Sequence, residues 1–128
     1  MAERRLTGLA KASKRYAVLG QLRPANTTAA SLYSPAANIV GFITRIIVCN
    51  TPVGAGTYRL FIDNDGTTYD ETTALAFDIS LAANTTTIYD FGEMGLPMSD
   101  DSGNFAVRTG TNDALNFTAW GYELIGNG

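Results

Sequence analysis

The residues best placed for chemistry in this chain are four acids that fall within one short stretch: Asp63, Asp65, Asp70 and Glu71. Several carboxylate oxygens at such spacing could in principle hold Ca²⁺. The EF-hand pattern fails, however, because Gly66 as the loop glycine requires an oxygen ligand five positions earlier, where Phe61 stands. We therefore expect solvated turn acids in this stretch and predict no metal site.

The composition removes most other kinds of catalytic centre. The 128 residues include no His, which is the usual general base and the commonest metal ligand. Ser-His and Cys-His catalysis and ordinary zinc sites are thereby excluded, while carboxylate pairs and Ser-Lys chemistry remain open. One cysteine, Cys49, cannot form an internal disulfide. We predict a non-enzymatic protein that has no cofactor and consists of a single domain.

Charge is distributed unevenly along the chain. Residues 1–23 contain six basic residues and one acid, a net charge of +5, whereas the remaining residues contain three basic residues and 11 acids, a net charge of −8. Residues 1–15 are also rich in small side chains and poor in apolar ones, so they cannot fill a core. We predict a flexible, extended basic N-terminal arm over residues 1–15, followed by an acidic domain over residues 16–128.

Three roles for the arm are open. It could be a solvated terminus, a docking arm that orders along an acidic neighbouring subunit, or a nucleic-acid contact. We do not expect nucleic acid as a partner, because the cations lack interleaved aromatic residues and the acidic domain would repel phosphate. The arm residues that we assign to a subunit interface are Arg4, Arg5, Leu6, Leu9, Lys11, Lys14 and Arg15.

The elements that would position these residues are short apolar runs separated by turn residues. The runs cover residues 16–22, 28–33, 38–49, 57–62, 75–81, 87–92, 105–109 and 115–124. About eight strands with this spacing predict an all-β fold, an antiparallel β-sandwich that is jelly-roll-like. No apolar stretch is long enough for a membrane span and no signal peptide is evident, so we expect synthesis in the cytoplasm and no membrane partner.

Individual runs carry sharper expectations. The 38–49 run has no polar face, which predicts a mid-sheet strand covered on both sides, with Cys49 as a buried, inert thiol. The alternation of Leu75, Phe77, Ile79 and Leu81 predicts a half-buried strand with those four side chains facing the core. Asp65-Gly66 predicts a tight hairpin with positive φ, residues 95–103 a loop, and Asp70 the cap of a short helical turn.

Aromatic residues crowd the last predicted strand. Trp120 and Tyr122 share one face of it, and Phe117 lies three residues before Trp120. Core packing is the simplest interpretation, and a subunit interface or a sugar-binding platform is the alternative. We assign Trp120 and Tyr122 to the candidate interface. A carbohydrate-binding module would add Tyr89 to these two rings as stacking faces.

Several segments taken together resemble a known class of protein. Residues 16–25 (YAVLGQLRPA) lead to Leu32-Tyr33-x-Pro35, and residues 46–50 (IIVCN) precede a small-residue loop and residues 57–62 (TYRLFI). This pattern resembles small β-sandwich proteins encoded among the virion structural genes of tailed bacteriophages, and it covers roughly residues 16–124.

The resemblance implies a structural component of the virion, made in the cytoplasm of the host bacterium. It implies a capsid cement or decoration protein, often trimeric, or a subunit of the tail, baseplate or fibre attachment. The expected partners are the major capsid protein or tail subunits and further copies of the chain, with a trimer favoured. The resemblance carries over no active-site residues.

Overall fold

The computed structural model describes residues 15–51, 54–98 and 103–125. The strands are β1 (Arg15–Leu22), β2 (Ala30–Tyr33), β3 (Ile39–Asn50), β4 (Gly56–Asp63), β5 (Ala74–Leu81), β6 (Thr86–Asp90), β7 (Leu96–Met98), β8 (Asn104–Thr109) and β9 (Leu115–Ile125). Eight of these match the predicted runs. The ninth, β7, lies where we expected only a loop; it contains Pro97, which is tolerated because β7 pairs with β3 alone, at the margin of a sheet.

The strands form two antiparallel sheets that pack face to face. One sheet has the order β1-β9-β3-β6, with β7 beside β3, and the other has the order β2-β8-β4-β5. This strand order is that of a jelly roll, and it confirms the predicted antiparallel β-sandwich. No helix among the described residues is long and apolar enough to span a bilayer.

The core lies between the two sheets and is built from alternate residues of the long strands. Its largest side chains are Tyr58, Phe105, Phe117, Ile43, Ile46, Leu60, Met98 and Leu115. Tyr58 packs edge-on against both Phe117 and Tyr89. The hydroxyls of Tyr58 and Tyr89 are 2.6 Å apart, so one hydrogen bond joins β4 of one sheet to β6 of the other.

The strand β3 lies mid-sheet between β9 and β6, as predicted, but only one of its faces is fully buried. Ile46 and Val48 face the core and have no exposed surface, whereas Ile47 lies on the opposite face and is half-buried. The prediction that both faces are covered is therefore wrong. Cys49 shares the half-buried face, so it is not the buried thiol that we expected.

The prediction for β5 is wrong in detail. Ala76 and Leu81 are buried, while Leu75 and Ile79 remain 47% and 40% exposed. The pairing of β5 with β4 shifts register twice, and Asp78 has a φ of 53°. These bulges break the regular alternation, because an extra residue moves the following side chains to the other face.

The link between β4 and β5 also differs from the prediction. No tight hairpin forms at Asp65-Gly66, since residues 64–73 form a longer loop and Gly66 does not adopt positive φ. The backbone N–H and the hydroxyl of Thr72 donate to Asp70 Oδ1 at 2.8 and 2.6 Å. Asp70 therefore caps a turn as predicted, although that turn is not followed by a helix.

Candidate functional site

The side of the five-stranded sheet that faces away from the core is unusually apolar. Cross-strand pairs place Val18 opposite Trp120, and Trp120 opposite Arg45. The next row along the strands joins Tyr16, Tyr122 and Phe42. We call this surface the outer face, and we define it by the side chains of Tyr16, Val18, Phe42, Arg45, Ile47, Ile88, Asp90, Trp120 and Tyr122.

Tyr122 forms the fixed floor of the outer face. Its ring stacks on Phe42 with centroids 4.8 Å apart and lies 5.2 Å from the ring of Tyr16. Its hydroxyl donates to the carbonyl of Met94 at 3.1 Å, and only 7% of the residue is exposed. Tyr122 therefore orders its neighbours rather than offering a face to a ligand.

Several side chains of the outer face, and Met94 beside it, are open to solvent. Trp120 is 40% exposed, Val18 53%, Tyr16 59%, Ile88 59% and Met94 79%. Single exposed apolar residues are ordinary on protein surfaces, whereas several on one side of a sheet are less common. Four of these five side chains, all but Met94, belong to the outer face.

A groove of about 510 Å³ crosses the outer face and combines aromatic with charged side chains. Tyr16 and Trp120 supply the rings, and Arg45, Asp90 and Glu93 supply the charges. The Arg45 Nε atom lies 3.7 Å from Asp90 Oδ2, and both side chains are more than half exposed, so this ion pair is weak. The groove bears a net charge of −1.

A β-bulge in β3 positions the groove. The pairing between β3 and β9 shifts between Ile43 and Arg45, so one residue of β9 faces two of β3. Thr44 at this bulge donates its hydroxyl proton to the carbonyl of Trp120 at 3.0 Å. Asp90 is oriented in turn by the backbone N–H of Gly92, which donates to Asp90 Oδ1 at 2.9 Å.

One end of the five-stranded sheet is secured by a network around Glu123, on the side that faces the other sheet. Arg15 Nη2 donates to Glu123 Oε1 at 2.8 Å, and the Tyr33 hydroxyl donates to Glu123 Oε2 at 2.6 Å. Burial and the hydrogen bond to Glu123 raise the pKa of Tyr33 well above its usual value. The network ties the first residue of β1 to both sheets, because Tyr33 belongs to β2.

Two of the four acids, Asp63 and Asp70, bind backbone groups of the link between β4 and β5. Asp63 accepts hydrogen bonds from the backbone N–H groups of Thr68, at 2.7 Å, and Asp65, at 3.2 Å, and these bonds lower its pKa. The hydrogen bonds from Thr72 likewise lower the pKa of Asp70. Within the ranges that the structure describes, no three acid or Cys side chains come together as a metal-binding group.

A second polar cluster, which the sequence analysis did not predict, lies on the outside of the other sheet. Arg59 and Arg108 are direct cross-strand neighbours, and Arg59 forms a two-point ion pair with Asp78, at 2.6 and 3.1 Å. Its guanidinium lies 3.8 Å from the ring centroid of Phe77. The cavity beside the two arginines measures only about 80 Å³. The cluster depends on the Asp78 bulge, which leaves no pattern in a sequence.

The candidate interface residues fall into two groups. The described ones, Arg15, Trp120 and Tyr122, all lie in β1 or β9 of the five-stranded sheet, and Arg15 is the first residue of β1 rather than part of the arm. Sequence reasoning missed Tyr16, Asp90 and Glu93, which the pairing of distant strands brings beside Trp120. The other candidates lie outside the described residues: Arg4, Arg5, Leu6, Leu9, Lys11 and Lys14.

The three rings of the hypothetical sugar platform are not equivalent. Trp120 is accessible, Tyr122 lies beneath its neighbours, and Tyr89 turns toward the core to meet Tyr58. The three do not form one platform. Trp120 and Tyr16 are the aromatic side chains that the groove presents.

Comparisons with known proteins do not assign a family. No family model and no curated protein matches the chain. A chain in the structure of infectious bursal disease virus Gx strain aligns with 19% identity over 89% of this chain and 42% of that one, with a TM-score of 0.37. A chain of the Gt strain aligns with 14% identity over 86% and 32%, with a TM-score of 0.35. The protein thus spans less than half the length of either chain, and TM-scores this low carry no argument about function.

Proposed function

We propose that the protein is a non-enzymatic structural component of a virus particle. Its most specific form is a capsid cement or decoration protein of a tailed bacteriophage, which stabilises the shell through its sandwich and its basic N-terminal residues. The observation that carries the proposal is the outer face, where Tyr16, Val18, Ile88 and Trp120 are each more than one-third exposed and the ring of Tyr122 stacks on Phe42. A surface of this kind is suited to burial against another subunit.

Three further features support the proposal. The jelly roll is an architecture that viral capsid domains use, although a fold by itself does not establish a function. The sequence has no His, so the commonest catalytic constellations cannot be built. The opposite charges of residues 1–23 and of the rest of the chain allow neighbouring copies to complement each other. The resemblance of residues 16–124 to small virion proteins of tailed phages points the same way.

The expected partners follow from this role. They are other virion proteins, either the major capsid protein or tail subunits, together with further copies of this chain, and a trimer is favoured. The interface would include Trp120 and Tyr122 of the outer face and the basic residues before Tyr16. The protein would act in the virion after synthesis in the cytoplasm of the host bacterium. A tail, baseplate or fibre-attachment subunit is the alternative location.

A second candidate is a module that binds host glycans. The observation that favours it is the groove, where the accessible Trp120 and Tyr16 rings lie beside Asp90 and Glu93. Aromatic faces stack on sugar rings and carboxylates accept hydrogen bonds from sugar hydroxyls. Jelly rolls also occur in lectins. A fall in acrylamide quenching of Trp120 on addition of a glycan would support the module, and quenching that no glycan changes would argue against it.

The experiment that tests the proposal is a count of this protein in purified particles. Quantitative mass spectrometry would compare its copy number with that of the major capsid protein. Hundreds of copies are expected for a cement protein on the capsid lattice. A few to a few dozen copies would move the protein to the tail or neck, and its absence from particles would overturn the virion role.

A further inference from the structure

The groove on the outer face matches residues 1–14 of this same chain in charge and in chemistry. Tyr16 and Trp120 form its aromatic wall, and Asp90 and Glu93 give it an excess of negative charge over Arg45. Residues 1–14 carry four basic side chains and one acid. We propose that residues 1–14 of a second copy bind in this groove, so that the chain assembles through a basic segment on an aromatic and acidic surface. The inference deepens the proposed assembly role by naming the occupant of the outer face.

The basic and apolar side chains of residues 1–14 are of the types that the groove could bind. Lys and Arg bind over an aromatic ring such as that of Trp120, and they pair with carboxylates such as those of Asp90 and Glu93. Among the described residues, no ion-pair partner is found for Glu93. Val18 lies directly opposite Trp120 and offers apolar contact beside the groove. The side chains available from the segment are Arg4, Arg5, Lys11 and Lys14 for the rings and carboxylates, and Leu6 and Leu9 for the apolar surface.

The direction of β1 favours a second copy over the same chain. β1 begins at Arg15, which the ion pair with Glu123 fixes at the sheet, and it passes Trp120 only at Val18. A segment that precedes Arg15 could therefore enter its own groove only after reversing its direction. No such reversal is needed to reach a neighbouring molecule.

The length of the segment is sufficient for this exchange. Fourteen extended residues span at most about 50 Å. A sheet of four strands is about 20 Å wide, since adjacent strands lie about 4.8 Å apart. A segment of this length could cross the outer face of a neighbour and still leave several residues to connect the two molecules.

The test uses charge reversal in the full-length chain. One variant reverses the segment: R4E, R5E, K11E and K14E. A second variant, D90N/E93K, makes the groove positive and retains an acceptor at position 90 for the Gly92 N–H. The matched control, D65N/E71K, makes the same change in charge on the exposed β4–β5 loop. Analytical ultracentrifugation reports the molecular mass of the species in each sample. Acrylamide quenching of Trp120, the only tryptophan, reports whether the groove is covered.

The expected result is association of the wild-type chain and the control at low salt, with at least a tenfold weaker association of each reversed variant alone. Mixing the two reversed variants restores association, since each segment then meets a groove of opposite charge, and Trp120 quenching falls. A mixture that stays monomeric overturns the proposal. A wild-type chain that is monomeric, with Trp120 fully accessible to acrylamide, also overturns it. These results concern the isolated protein, so they do not depend on whether the protein is found in purified particles.

Discussion

Ile46 and Ile88 provide a direct comparison of the two faces of the five-stranded sheet. Ile46 of β3 faces the core with no exposed surface, while Ile88 of the neighbouring strand β6 is 59% exposed on the outer face. Ile46→Ala leaves a cavity and should lower the free energy of unfolding by about 2–5 kcal/mol. Full burial of an isoleucine contributes about 1.5–3 kcal/mol, so the two-fifths of Ile88 that is buried contributes about 1 kcal/mol. Ile88→Ala should therefore cost about 1 kcal/mol.

The assay is urea denaturation followed by Trp120 fluorescence, at a protein concentration low enough to keep the chain monomeric. The slope of the transition should be the same for both variants, which makes their midpoints comparable. At high protein concentration, the effects of the two substitutions on self-association should be in the reverse order. Ile88→Ala should weaken association, whereas Ile46→Ala molecules that are folded should associate as the wild type does. Equal destabilisation by the two substitutions would show that Ile88 is covered in the monomer, and would refute the argument for an open outer face.

Three further predictions concern the fold. Tyr58→Phe should lower stability by about 1 kcal/mol, because it leaves the Tyr89 hydroxyl without its partner, and adding Tyr89→Phe should recover part of that loss in a double-mutant cycle. The pKa of Asp63 is lowered in the folded state, so its stabilising effect is present above the unfolded pKa of about 4 and is lost as pH falls through the folded pKa; the urea midpoint of the wild-type chain should fall as the pH is lowered below about 4, and Asp63→Asn should reduce that fall. Gly121→Ala should destabilise by about 3 kcal/mol or more, since its Cβ would lie 1.9 Å from the Phe42 carbonyl oxygen, whereas Gly56→Ala, with its nearest contact at 3.7 Å, should be far milder in thermal unfolding.

The sequence was sufficient to predict the strands and the sandwich. Local signals determine these features: apolar runs such as 38–49 and 115–124 form the long strands β3 and β9, and turn residues separate them. The central place of β3 also followed from its composition, because a strand with little polar surface is stabilised by neighbours on both sides. Asp70 was recognisable as a cap from its position before a turn.

The candidate site could be predicted only in part, because pairing between distant strands creates it. Trp120 and Tyr122 have the same alternation in the sequence, yet one is open and the other lies under Phe42 and Tyr16. The rings that cover Tyr122 come from β1 and β3, so its burial depends on strand pairing and not on the pattern of β9 itself. In β5 the bulge at Asp78 explains why the regular alternation failed as a guide to burial, since an inserted residue reverses the faces of those that follow.

The central claim is that the outer face is covered by another subunit in the assembled particle. Met94 and Met98 allow a direct test, because Met94 is 79% exposed beside the outer face, where its carbonyl accepts a hydrogen bond from Tyr122, and Met98 is fully buried in the core. Hydroxyl-radical oxidation followed by mass spectrometry would compare the isolated protein with purified particles. We expect Met94 and Trp120 to oxidise readily in the isolated protein and to be protected in particles, while Met98 stays unreactive in both. Equal oxidation of Met94 and Trp120 in both samples would contradict the claim.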